Sequence, residues 1–99
     1  MYAIQYAGSV ADDLAGLRAF ERKEILDQIE EQLTHEPVRE TRRKKIVRGL
    51  KPPWEHAEPV RESRVGEFRV FYDVDNDASQ VTVRAIRQKP AHKTTEELL

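Results

Sequence analysis

Tyr2, Ile4 and Tyr6 alternate with Ala3 and Gln5, the period of a strand with one buried face. Gly8 ends the run. Ser9 followed by Asp12 resembles a capping box with Asp in place of the usual Glu, and Val10, Leu14 and Leu17 follow at helical spacing, which predicts a helix starting near Val10. A second apolar stripe, Ile25, Leu26, Ile29 and Leu33, has Glu24, Asp27, Glu30 and Glu31 on its other side and is stopped by Pro37. The two segments read as a helical hairpin with its turn over residues 18–22, or as one bent helix with an acidic outer face. Residues 39–59 show little periodicity, contain Pro52-Pro53 and hold the only tryptophan, Trp54; they read as a long connection with a short strand at 45–47.

Beyond this connection Phe68, Val70, Tyr72 and Val74 alternate with Arg69, Phe71 and Asp73, the cluster DNDAS makes a turn, and Val81, Val83 and Ala85 alternate with Thr82, Arg84 and Ile86. This is an antiparallel hairpin. A strand over residues 58–65, joined through a bend at Gly66, extends it to a three-stranded meander, and a short helix is expected from Thr94. Strand, helical hairpin and meander together predict an α+β domain with the helices on one face of a mostly antiparallel sheet and the other face open. With Phe68, Val70 and Tyr72 toward the helices, Arg69 and Phe71 point to the open face; a one-residue slip would bury Arg69 instead. A face carrying Glu62, Arg64 and Arg69 is suited to meet something anionic.

The chain has 99 residues, 38% of them apolar and 35% charged, enough for one modest core and a single domain over 1–99. There is no cysteine, which removes disulfides and thiolate chemistry and suits a reducing compartment. No apolar run approaches membrane-spanning length, and the first residues lack the basic start of a signal peptide, so a cytoplasmic protein is expected. The net charge of −1 hides an asymmetry: residues 12–36 carry eight acidic and three basic side chains, and residues 39–51 carry seven basic and one acidic. Such a basic block is either a solvated connection or an anion-facing surface. His35, His56 and His92 lie far apart without metal-ligand spacing, and the four glycines stand singly, so neither a metal site nor a nucleotide-binding fingerprint is indicated.

The order of elements and the stretch RVGEFRVFY at residues 64–72 resemble the RelE/ParE superfamily of toxins from bacterial type II toxin–antitoxin systems. Its recurring pattern of arginine, any residue, glycine, acid, aromatic, arginine, two apolar residues and tyrosine is filled by Arg64, Gly66, Glu67, Phe68, Arg69 and Tyr72. The likeness extends to the amphipathic helices, the basic stretch KKIVRGL and the last strand VTVRAIRQK. It implies a toxin held inactive by a cognate antitoxin. RelE-like members are ribosome-dependent mRNA endoribonucleases, whereas ParE-like members poison DNA gyrase on a similar fold. Residue by residue, Arg69 falls on the arginine that RelE-like nucleases use near the scissile phosphate and Lys89 near a second basic position. Glu62 stands where RelE has a lysine, the tail tyrosine of some members has no counterpart, and His92 sits close to where others place a histidine.

Cleavage of RNA by its own 2′-hydroxyl needs a base, cationic support for the phosphorane-like charge and an acid for the leaving oxygen, and no metal or other cofactor is obligatory. Arg69 suits bidentate contact to phosphate oxygens, Lys89 and Arg64 add charge, and Glu62 or His92 serves as base or acid. Arg42, Arg43, Lys44, Lys45 and Arg48 are then the surface for ribosomal and messenger RNA. Each assignment has a plainer counterpart. Arg69 pairs with Glu62 across strands, His92 is a solvated tail residue, and Trp54 pins the connection to the core instead of stacking a base. The expected partners are a small antitoxin, the ribosome and mRNA, with no membrane. A gyrase inhibitor and a catalytically degenerate antitoxin-binding domain are the alternatives.

Overall fold

Every element foreseen from the apolar spacing within the described residues is found in the computed structural model, which describes residues 1–89 and Glu97; the expected helix from Thr94 and the candidate His92 lie outside them. The elements run β1 (Ala3–Tyr6), α1 (Gly8–Ala15), α2 (Ala19–Leu33), β2 (Lys44–Ile46), β3 (Arg61–Val65), β4 (Phe68–Asp75) and β5 (Gln80–Gln88). The sheet order is β1-β5-β4-β3-β2. Successive strands β2 to β5 are antiparallel, and β1 lies parallel to β5. Both helices cover one face. Val10 of α1 and Ile25, Ile29 and Leu33 of α2 pack on Val65, Phe68, Val70, Tyr72, Val81, Val83 and Ile86. The stripe spacing of α2 is what turns these apolar residues onto one line.

The first helix starts at Gly8, two residues before the expected position, and Ser9 does not cap it: the N-cap is Ala7, with no side-chain cap. The reason is the free edge of β5. β1 pairs with β5 only as far as Tyr6–Val83, after which Ala7 donates its N–H to Val83 O at 2.8 Å. Beyond that point α1 covers the edge with side chains, Ser9 Oγ donating to Arg84 O at 3.4 Å and Asp13 Oδ2 accepting from Ile86 N–H at 3.0 Å. Buried backbone groups thereby find partners that a strand would otherwise supply. The interhelical turn occupies residues 16–18, earlier than the expected 18–22, and is closed by Arg22 Nη1 donating to Leu14 O and Leu17 O at 3.1 and 3.2 Å. A cation on the last carbonyls is a favourable end for α1.

Two expectations about the sheet are corrected. The face away from the helices is not simply open: Leu50, Val60, Phe71 and Ala85, with Val47 and Trp54 against them, form a second small core, because the connection between β2 and β3 folds back over the sheet. The uninterrupted alternation expected in β5 also fails. A register shift at Phe71/Tyr72 pairs Phe71 with Ala85 but Tyr72 with Val83, so one extra residue, Arg84, is accommodated on β5. This β-bulge reverses the parity after Val83, placing Ile86 in the helix-side core and Ala85 in the other.

Candidate functional site

Gly66, at φ +56°, makes the tight turn between β3 and β4, a conformation that L side chains rarely adopt. This turn fixes the register in which Arg64 lies opposite Arg69, and the bulge fixes the register in which Arg69 lies opposite Arg87. Arg64, Arg69 and Arg87 therefore form one cross-strand row on the face away from the helices. Neighbouring strands are about 4.8 Å apart, and like charges directly opposite one another destabilise a sheet. The next row holds Lys45, Glu62 and Phe71.

Arg69 is buried, at 7% exposure, although its strand parity is the one expected. Its contacts are those of the face away from the helices and not of a slip toward them. Its guanidinium is held on two edges: Nη1 donates to Gly66 O and Phe68 O at 3.0 and 2.9 Å, and Nε lies 3.6 Å from Glu62 Oε1. Burial pushes its pKa down, the neighbouring Arg64 charge acts in the same direction, and Glu62 opposes both; the group remains a cation. Glu62 is 3% exposed and lies between Arg69 and Lys45, whose Nζ is 3.6 Å from Glu62 Oε2. The pairing of Arg69 with Glu62 weighed in the sequence is thus present, and it orients the arginine as well as offsetting its charge.

Arg87 is the member of the row that sequence reasoning missed. Its Nη1 donates to Ile86 O at 3.0 Å and lies 3.0 Å from Asp13 Oδ2, and its guanidinium carbon is 5.2 Å from the centre of the Trp54 ring. Trp54 itself packs at 5.2 Å and 49° on Phe71. Trp54 pins the connection to the sheet, as the plainer reading had it. Lys89 follows the end of β5 and donates its N–H to Glu67 O at 2.6 Å, which puts its backbone beside the β3–β4 turn.

The basic block does not act as one surface. Arg42, Arg43 and Arg48 are exposed, Lys45 turns to the arginine face, and Lys44 turns the other way. At 7% exposure, Lys44 Nζ donates to Gln32 O at 2.9 Å and Glu36 O at 2.7 Å, so the expectation that it is an exposed RNA-binding lysine is corrected: it closes the C-terminal end of α2. Burial lowers its pKa, with Glu36 opposing. Strand alternation explains the split between Lys44 and Lys45.

Tyr72, buried against the helices, donates its hydroxyl to Pro37 O at 2.9 Å, and burial raises its pKa strongly. Its role is structural. A cleft of about 210 Å³ opens between α2 and the β3–β4 turn, lined by Glu24, Gln28, Arg43, Arg64, Val65 and Gly66. Among the described residues no group of three His, Cys, Asp or Glu side chains is arranged to hold a metal ion, and no helix is long and apolar enough to cross a membrane.

A five-stranded sheet with the N-terminal strand beside the last one and two helices on one face defines an α+β scaffold, here with a row of arginines on the other face. Its fold is that of the RelE toxins. The isolated Escherichia coli RelE toxin superposes with a TM-score of 0.71 at 14% identity, over 98% of this chain and 94% of that one. A chain of the toxin–antitoxin complex RelBE2 of Mycobacterium tuberculosis gives 0.70 at 19% identity, over 89% and 98%. A chain of the archaeal RelE–RelB complex of Pyrococcus horikoshii gives 0.68 at 19% identity, over 94% and 98%. No protein-family model and no curated protein sequence matches the chain.

Proposed function

We propose that this chain is the toxin of a type II toxin–antitoxin pair and that it acts as a ribosome-dependent mRNA endoribonuclease in the cytoplasm. The observation that carries the reading is the row Arg64, Arg69 and Arg87 on a RelE fold. Glu62 and Asp13 offset part of the repulsion among these three guanidiniums, and phosphate is the further anion whose geometry their planar forks match. In this mechanism Arg69, fixed by Gly66 O, Phe68 O and Glu62, presents its remaining Nη2 edge to the scissile phosphate. Arg64 and Lys89 add positive charge as it develops on the phosphorane. Glu62 or His92 moves the proton, Glu62 being the one already beside Arg69. Exposed Arg42, Arg43 and Arg48, with Lys45, contact the RNA backbone.

The partner is a small antitoxin, a reading supported by the RelB-bound form of several similar structures. A second reading, inhibition of DNA gyrase on the same fold, is favoured by one feature: Glu62 occupies a lysine position of RelE and pairs with both Lys45 and Arg69, which reduces the charge available to RNA. Mapping mRNA 5′ ends after induced expression, beside a gyrase supercoiling assay, separates the two. Cuts phased to ribosomes support the nuclease, and lost supercoiling without such cuts replaces it with the gyrase reading.

A further inference from the structure

The bulge in β5 reverses the parity of a single cation, and that cation lands beside Arg69. Without the extra residue Arg87 would share the face of Val81 and Val83, toward the helices. Instead it stands next to Arg69 with a carboxylate already on it: Asp13 Oδ2 lies 3.0 Å from Nη1. The ion pair is partly solvated, the two side chains being 33% and 19% exposed, so an incoming anion can reach it. Both the hydrogen bond to Ile86 O and the ion pair with Asp13 run through Nη1, away from the Nε–Nη2 fork that suits a phosphate. Trp54 supports the guanidinium plane from one side and holds it over the sheet.

We infer that Arg87 is a second phosphate position, next to that of Arg69, and that Asp13 occupies it in the absence of RNA. Resting on the endoribonuclease reading, this deepens it by naming the substrate class. The site takes a single strand with at least two successive phosphates, running across β4 and β5, in preference to a mononucleotide or a free phosphate. Asp13 is then a competitor as well as a structural acceptor. Asparagine at position 13 keeps an oxygen for Ile86 N–H and gives up the charge that holds Arg87.

The test is equilibrium binding of 2′-O-methyl oligonucleotides carrying one, two or three internucleotide phosphates, at several salt concentrations, with cleavage blocked by the 2′ substituent. Wild type gains about tenfold from one phosphate to two, the worth of one charge-assisted contact. Arg87→Gln loses that gain and lowers the salt slope by about 0.7. Arg87→Lys keeps most of the slope, and Asp13→Asn binds tighter than wild type. Equal affinity of wild type for one and two phosphates overturns the inference, as does an Arg87→Gln slope equal to that of wild type. Equal losses of melting temperature in Arg87→Gln and Asp13→Asn with unchanged binding assign the pair a purely structural role and overturn it too. The underlying nuclease reading fails separately, when wild type yields no mRNA cuts in cells.

Discussion

Lys44 looks in the sequence like one cation among many, and the fold makes it a fastening of the helix layer to the sheet. Lys44→Met keeps most of the aliphatic stem and removes the ammonium that donates to Gln32 O at 2.9 Å and Glu36 O at 2.7 Å. Each hydrogen bond to a charged group contributes about 1.5–3 kcal/mol, and a cation at a helix C-terminus about 0.3–1 kcal/mol more. Against this, burial already disfavours the charged form and lowers its pKa, so part of the gain is offset by desolvation. The net loss is about 2–3 kcal/mol, equivalent to a melting temperature lower by about 10–20 °C for a domain of this size. Arg42→Gln, at an exposed position of the same block, stays within about 0.5 kcal/mol. Thermal unfolding of the two variants beside wild type measures the difference. A Lys44→Met melting temperature within about 3 °C of wild type would refute the fastening.

Arg69→Lys keeps the charge and loses the planar fork, so mRNA cleavage falls steeply while ribosome association is largely kept; undiminished cleavage by Arg69→Ala removes it from the site. In the cycle with Glu62→Gln, a pair 3.6 Å apart gives a coupling of about 0.5–3 kcal/mol in thermal stability, and additivity shows that the two do not interact. Changing the exposed Arg42, Arg43 and Arg48 together to glutamine lowers the salt slope of RNA or ribosome binding by about 2 with melting nearly unchanged; an unaltered slope marks the block as a solvated connection. His56 Nδ1 lies 3.0 Å from Trp54 O and Nε2 3.2 Å from Glu58 Oε1, and the Trp54 carbonyl first, then Glu58, raise its pKa above the ordinary 6.5 against the effect of burial. The folded state thus binds the proton more tightly, and its contribution is complete below 6.5 and lost as pH rises through the raised value. His56→Gln should flatten the decline of melting temperature between about pH 6 and 8; an unchanged decline means that His56 does not contribute.

Apolar spacing revealed the architecture because spacing is what builds it. The stripe Ile25, Ile29 and Leu33 and the alternation Phe68, Val70 and Tyr72 each bury one face, and both were legible without a structure. The resemblance carried by residues 64–72 pointed to Arg64 and Arg69 and to the RelE fold. Three things were not legible. The start of α1 depends on where β1 stops pairing, which is a fact about β5 and not about Ser9. The covering of the far face depends on Leu50 and Trp54 folding back onto Phe71 and Ala85, and a segment without periodicity gives no sign of where it packs. Arg87 depends on the bulge: period-two counting through Val81, Val83 and Ala85 assigns it to the helices, and only the inserted residue sends it beside Arg69.

That last case also shows why burial alone is a poor test of register. Arg69 is nearly inaccessible, the outcome a slipped strand would give, yet Phe68, Val70 and Tyr72 face the helices and Phe71 faces away. The discriminating observation is the identity of its contacts. A slipped Arg69 would lie against α2 near Ile25, whereas the actual one meets Glu62 of β3 and the carbonyls of Gly66 and Phe68. Each of those contacts uses the Nη1 or Nε edge and holds the plane of the guanidinium, so the unfavourable approach of Arg64 is borne without rotation. Asp13 and Ile86 O do the same for Arg87 through Nη1. Arg69 is thus engaged at both Nη1 and Nε, whereas the hydrogen bond and the ion pair of Arg87 both run through Nη1. Two carboxylates, Glu62 and Asp13, stand among the three guanidiniums of this row, and under the endoribonuclease proposal the positive charge left over is what an extended polyanion would meet.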